Sequence, residues 1–81
     1  MAQKNTESEL KSETEKWLSK IEKEMPRVRE TEKNRDFVRN IKAYISDCKH
    51  FSRGGKLVLA FEAVVWAWAW LQILRELKMI E

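Results

Sequence analysis

The sequence predicts an all-α fold, an antiparallel three-helix bundle in which a C-terminal helix with two apolar sides lies at the centre. Two observations lead to this prediction. The 81 residues contain only two glycines and one proline, and 36% of them are charged, with many Glu and Lys, as is typical of helical proteins. In addition, apolar residues recur every three or four positions in three separate segments, which is the period of an α-helix.

The first helix is predicted at about residues 6–25. Thr6 and Glu9 fit a capping box at its start, and Asn5 and Ser8 are alternative capping residues. A single apolar stripe follows this helix and consists of Leu10, Thr14, Trp17, Leu18, Ile21 and Met25.

The second helix is predicted at about residues 27–53. Pro26 breaks the preceding helix and suits the first turn of a new one. The apolar side of this helix comprises Phe37, Val38, Ile41, Tyr44, Ile45, Cys48 and Phe51. Either Gly54 or Gly55 can adopt the left-handed conformation that ends a helix, so the chain is expected to reverse there into an antiparallel hairpin.

The third helix is predicted at about residues 56–79 and carries two apolar seams. The first seam consists of Leu57, Ala60, Val64, Ala67, Leu71 and Leu74. The second seam consists of Leu59, Ala63, Trp66, Trp70, Ile73 and Leu77. Residues two apart on a helix point about 200° apart. Trp66 and Trp70 therefore share the second seam, while Trp68 faces the side of the first.

Each apolar side of a helix must be buried against another element. The sequence leaves two interpretations open for the two sides of the third helix. In the first, helices one and two each cover one seam within a single chain. In the second, the second seam binds another chain, either a second copy in a homodimer or another helical protein. We predict that the second seam is an interface, and a Trp70→Glu variant that leaves mass and fold unchanged would argue against this.

The third helix also approaches the length of a membrane span, because residues 57–74 contain a single charge. That charge, Glu62, lies within the run and shares a polar sector with Gln72. Helices one and two would lose their apolar partner if this helix entered a bilayer. The sequence therefore predicts no membrane span.

Size and cysteine content limit how this chain is stabilised and where it resides. Residues 1–81 form one domain, with residues 1–5 frayed, and a domain so small buries only about 60% of the surface its unfolded chain exposes. Cys48 is the only cysteine, which excludes an intrachain disulfide and suits a reducing compartment. Residues 1–13 contain no apolar run, so we do not expect them to be a secretory signal. We expect a cytoplasmic protein.

Positive charge is concentrated around the second helix. Residues 26–56 hold nine Lys or Arg against four acids, a local net charge of +5, whereas the whole chain carries +3. One stripe of this helix, the basic stripe, consists of Arg35, Arg39, Lys42, Lys49 and Arg53. Such a stripe can follow a phosphate backbone, although a solvated face of a Lys-rich and Glu-rich helix has the same pattern.

A polar cluster near the hairpin is the remaining candidate for chemistry. Tyr44, Asp47 and His50 follow one flank of the second helix at intervals of three, and Glu62 lies beyond the turn. These groups could perform acid–base catalysis, but each also has a structural explanation as a core-edge or solvated side chain. The single histidine makes a metal site improbable. We predict no enzymatic activity, no cofactor and no metal.

The hairpin region also resembles a known family. The spacing that carries this resemblance is Tyr44, Asp47, Phe51, Gly54, Ala60, Phe61, Glu62, Ala67, Trp70 and Leu71. This pattern is similar to that of the small archaeal proteins grouped as domain-of-unknown-function family 357. The chain departs from the family at Gln72 and Leu74, where the family has aspartate and glycine. The resemblance implies an all-helical, cytoplasmic archaeal protein and no known activity.

From the apolar seams and the absence of a convincing catalytic pattern, we predict a non-enzymatic protein-interaction or self-associating helical module. The alternative is an accessory protein that binds nucleic acid through the basic stripe. The first prediction depends on the second seam and the other on the charge distribution, so substitutions on different helices distinguish them.

Overall fold

The computed structural model describes residues 5–80 and confirms the all-α fold. In that range the chain forms three α-helices, a short 3-10 helix and no strand. The helices are α1 (Thr6–Glu24), α2 (Arg35–Arg53) and α3 (Leu57–Glu76), and the 3-10 helix is Met25–Arg27. The predicted fraying of residues 1–5 falls mostly outside the described residues.

α3 lies between the other two helices. α1 and α2 both pack against α3, whereas α1 and α2 contact each other much less. The first seam supplies the contact surface, since every member except the half-buried Leu57 is completely buried. Small residues let the neighbouring backbones approach, and Ala60 and Ala67 occupy this position in the seam.

The start of α1 is capped by Asn5, one of the alternatives that the sequence left open. The Asn5 side chain accepts a hydrogen bond from the Ser8 N–H at 2.7 Å, which satisfies one of the free donors of the first turn. Thr6 is then the first helical residue.

The second helix begins at Arg35 and not at residue 27 as predicted from Pro26. Pro26 continues the chain into a 3-10 turn, after which Val28 is extended with φ −83° and ψ 118°. An extended residue ends helical hydrogen bonding, so the chain needs a new start signal. That signal is a local turn in which the Thr31 N–H donates to Asn34 Oδ1.

Asn34 is a completely buried polar residue that no periodic pattern identified. Its Oδ1 accepts from the Thr31 N–H at 2.7 Å, and its Nδ2 donates to the carbonyls of Arg29 (3.0 Å) and Met79 (2.9 Å). One side chain therefore fastens the α1–α2 connection to the segment after α3. A buried amide is stable only when its donors and acceptor are satisfied, as they are here.

Two turns of the same kind end α2 and α3. Gly55 has φ +73°, and the Lys56 N–H donates to the Phe51 carbonyl at 2.9 Å, a Schellman motif. After α3, Lys78 has φ +56° and the next N–H, that of Met79, donates to the Leu74 carbonyl at 2.9 Å. This second motif ends α3 at Glu76, before the predicted boundary at residue 79.

Candidate functional site

The outer side of α3 carries exposed apolar side chains along its whole length. Within the predicted second seam, Leu59 is 42% exposed, Trp66 53%, Ile73 40% and Leu77 62%. Val58 and Val65 are exposed beside them. We refer to these six residues as the outward face: Val58, Leu59, Val65, Trp66, Ile73 and Leu77.

The other two members of the second seam lie in the interior. Ala63 is buried, and the half-buried Trp70 packs against Phe37 of α2, with ring centroids 5.5 Å apart. Trp66 stacks on Tyr44 at 6.4 Å with an interplanar angle of 18°, so one side of its ring is covered and the other is free. Trp70 thus joins α3 to α2, and a charge at this position would disturb the fold itself.

Trp68 faces the opposite side of α3, as its spacing from Trp66 predicted. Its ring meets Trp17 of α1 in an edge-to-face pair at 5.7 Å, and its Nε1–H donates to the Trp17 carbonyl at 3.0 Å. Together with Phe61 and Val65, these two rings line an open groove of about 240 Å³. The groove extends the apolar surface from the outward face toward α1.

α3 is long and apolar enough to cross a membrane, judged by length and composition. The core helix of a soluble protein satisfies the same criteria. Here one third of the apolar window of α3 is buried against the rest of the chain. The unburied remainder is the outward face and its flanks.

The basic stripe is present on one side of α2. Arg35, Arg39, Lys42 and Arg53 are exposed, whereas Lys49 is partly buried and forms a salt bridge with Glu22 of α1. α1 thus neutralises one of the five predicted cations. The four that stay exposed extend over about 27 Å of helix at 1.5 Å per residue.

The polar cluster predicted around Tyr44 is not assembled as a network. Tyr44 stacks on Trp66, the His50 ring lies 5.7 Å from Phe51, and Asp47 is exposed. In the described part of the chain, no hydrogen bond or salt bridge connects Tyr44, Asp47, His50 and Glu62 with one another.

Cys48 is the remaining reactive group, and it is completely buried among apolar residues. Burial raises the pKa of its thiol above the usual value, and a hydrogen bond with Ser52 opposes this only in part. Because the thiolate is the nucleophilic form, this environment keeps the sulfur unreactive. Over residues 5–80, no three His, Cys, Asp or Glu side chains form a group that could hold a metal ion.

Comparison with known proteins agrees with the fold. A family model described as a protein of unknown function, DUF357, matches residues 7–80. The chain is also similar to a protein from Archaeoglobus fulgidus that carries the same family model and has a crystal structure. The two chains are 48% identical, the match covers 95% of this chain and 97% of the other, and the TM-score is 0.87. No curated protein matches the chain.

Proposed function

The chain belongs to the DUF357 family of proteins of unknown function, and we propose that it is a non-enzymatic helical module that self-associates through the outward face of α3. The family assignment confirms the resemblance carried by the residues from Tyr44 to Leu71. The observation that carries the proposal is that the six side chains of the outward face remain 40–64% exposed in the folded chain.

The area of the outward face supports a second copy as its partner. Because these six side chains are 40–64% exposed, each leaves on the order of 100 Å² accessible, or roughly 600 Å² together. This is the upper limit for the largest apolar patch on a typical monomer, which is about 600 Å². Two such faces packed together would bury about 1,200 Å², which is the lower limit for a specific interface.

Trp66→Glu is expected to weaken self-association by about 30-fold or more. The substitution places a charge at the centre of the interface and removes an aromatic anchor worth about 2 kcal/mol. Sedimentation equilibrium over a range of concentrations measures this effect directly. Trp66 is half exposed and Trp70 is not, so the variant tests the surface with little disturbance of the core. Far-UV circular dichroism confirms that the monomer stays folded.

Ser19→Glu is the matched control, since it adds the same charge to an exposed position of α1, away from the outward face. It should leave the association constant unchanged. A wild-type protein that is monomeric over the whole concentration range, or a Trp66→Glu variant that dimerises as tightly as wild type, would refute self-association through this face.

We further propose that the protein works in the cytoplasm without inserting into membranes. The packing of α3 supports this, because its first seam is buried against α1 and α2 and would have to be exposed for α3 to become a span. The buried free thiol suits a reducing compartment. Flotation with zwitterionic vesicles, which carry no net charge to attract the basic stripe, tests the membrane part of the proposal, and the protein should remain in the unbound fraction.

Nucleic-acid binding through the basic stripe is a second candidate function. Its support is that four cations of α2 are exposed on one side, while Asp36 and Asp47 lie on another flank of the helix. No exposed aromatic residue interleaves with these cations, so contacts would be limited to phosphates and binding would not depend on base sequence.

Reversing Arg39 and Lys42 to glutamate should abolish binding to a labelled DNA of about 20 nucleotides, because two phosphate contacts are replaced by repulsion. Fluorescence anisotropy at several salt concentrations measures the affinity and its salt dependence. The control reverses Lys11 and Lys23, exposed lysines of α1, and so makes the same change in net charge elsewhere. Equal affinities for the two double variants would eliminate a specific role for the stripe.

A further inference from the structure

The exposed side of α3 contains a heptad pattern of its own. Positions 59, 62, 66, 69, 73 and 76 are separated by three and four residues alternately, which is the spacing of a coiled-coil seam. Large apolar residues alternate along it with acidic or small ones. In chain order, this outer seam consists of Leu59, Glu62, Trp66, Ala69, Ile73 and Glu76.

The outer seam is incompatible with a parallel pair of α3 helices. In a parallel pair each seam residue faces its own equivalent. Two layers would then place Glu62 against Glu62 and Glu76 against Glu76 at the interface, where like charges repel and desolvation is costly. A third layer would oppose two Trp66 rings, and a fourth would leave the small Ala69 facing another Ala69.

An antiparallel pair avoids placing identical residues opposite each other. The apolar positions of one helix then face the alternate positions of the other, and one register matches the whole seam. In it, Trp66 packs over Ala69 of the second copy, where the missing side-chain volume accommodates the indole. Ile73 faces Glu62, and Leu59 faces Glu76, whose carboxylates reach solvent at the edge of the seam.

This register keeps equivalent carboxylates apart, although Glu62 of one copy and Glu76 of the other lie in adjacent layers, about 4.5 Å apart along the axis. The two Glu62 carboxylates are offset by about 17 Å along the helix axes, because eleven residues at 1.5 Å each separate their positions. Sliding the helices by one heptad in either direction leaves one of the three large apolar residues without a partner. The arrangement is also accessible, since α1 and α2 pack on the other sides of α3.

From this we infer that the partner of the outward face is a second copy of the chain packed antiparallel across α3, with the two-fold axis passing between positions 67 and 68. The inference rests on the proposed self-association and adds its direction and register. Trp66 and Ala69 are the complementary pair at its centre, and each dimer contains that pair twice.

Spin labels on a Lys56→Cys variant distinguish the two directions. Lys56 precedes α3, is exposed, and makes no side-chain hydrogen bond at the helix start, so its replacement leaves the fold intact. The native Cys48 is buried and should take up no label. In the antiparallel register the labelled positions lie at opposite ends of the paired helices, about 35 Å apart. A parallel pair would bring them to within about 10 Å, the spacing of adjacent helices.

Double electron–electron resonance on the Lys56→Cys dimer should therefore give a distribution of label-to-label distances centred near 35 Å. The flexibility of the labels sets the width of this distribution. An Arg53→Cys variant, labelled at the same end of the molecule, should also give a long distance. A dimer whose labels lie close together would overturn the antiparallel inference while leaving self-association standing. A protein that sedimentation shows to be monomeric would overturn both.

Discussion

Asn34→Asp is expected to lose several kcal/mol of folding free energy at neutral pH, a large part of the roughly 4–12 kcal/mol that a domain of this length possesses. The Nδ2 of Asn34 donates to two carbonyl oxygens. The substitution would direct a carboxylate oxygen at both of them in a site with no exposure to solvent. Urea unfolding at pH 7 measures the change in free energy.

The loss should depend on pH in a defined direction. Burial against carbonyl oxygens favours the protonated carboxyl, so its pKa in the folded state is raised above the ordinary aspartate value of about 3.9. The penalty is therefore smallest below about pH 4 and grows as the pH rises through the folded-state pKa. Asn34→Ala supplies the reference, since it leaves the same partners unsatisfied at every pH and costs about 1–3 kcal/mol. Equal pH profiles for the two variants would show that the amide does not donate to these carbonyls.

Leu71→Ala is expected to destabilise the monomer by about 2–5 kcal/mol, because Leu71 is completely buried in the first seam and its removal leaves a cavity. Thermal and urea unfolding at concentrations too low for association measure the effect. Unfolding midpoints should fall while self-association of the folded protein, if it occurs through the outward face, is unchanged.

Leu77→Ala removes the same atoms from an exposed leucine, since the Leu77 side chain is 62% exposed whereas Leu71 is completely buried. It should alter monomer stability by less than about 0.5 kcal/mol and instead weaken self-association. If Leu71→Ala and Leu77→Ala destabilised the monomer equally, the assignment of an inner and an outer side to α3 would be wrong.

The number, type and order of the helices could be predicted from the sequence because helical periodicity is a local property. The stripe that contains Ile21 and the first seam around Leu71 repeat over several turns, and Ile21 and Leu71 are both completely buried. Gly55 ends α2 for a reason that is equally local, since few residues other than glycine adopt its positive φ without strain.

The start of α2 and the role of Asn34 could not be predicted in this way. Pro26 permits a new helix to start but does not require one, and the chain continues as a turn and an extended residue until Arg35. The bond from Asn34 to Met79 joins positions 45 residues apart, and no local pattern indicates which distant carbonyl a polar side chain will meet.

The sequence alone also could not show which residues of the second seam are exposed and which are covered. The sequence shows that a side of α3 is apolar, but the directions from which α1 and α2 approach decide which of its residues become covered. Ala63 is buried and Trp70 is half-buried against Phe37 of α2. Tyr44 of α2 covers only one side of the Trp66 ring, so Trp66 stays 53% exposed, and Ile73 stays 40% exposed. The residues offered to a partner are those that the neighbouring helix leaves uncovered.

The central position of α3 has a consequence for the order of folding. α2 and α3 are joined by a short turn, so we expect them to meet with little loss of chain entropy and to form first. α1 has to return across the chain to reach α3, and its hydrogen bond from Trp68 to Trp17 closes a separation of 51 residues. Until α1 docks, the nascent hairpin presents both sides of α3. If two chains meet before α1 docks, the α1 of one chain can pack against the α3 of the other. Rapid docking of α1 on its own α3 prevents this exchange of helices.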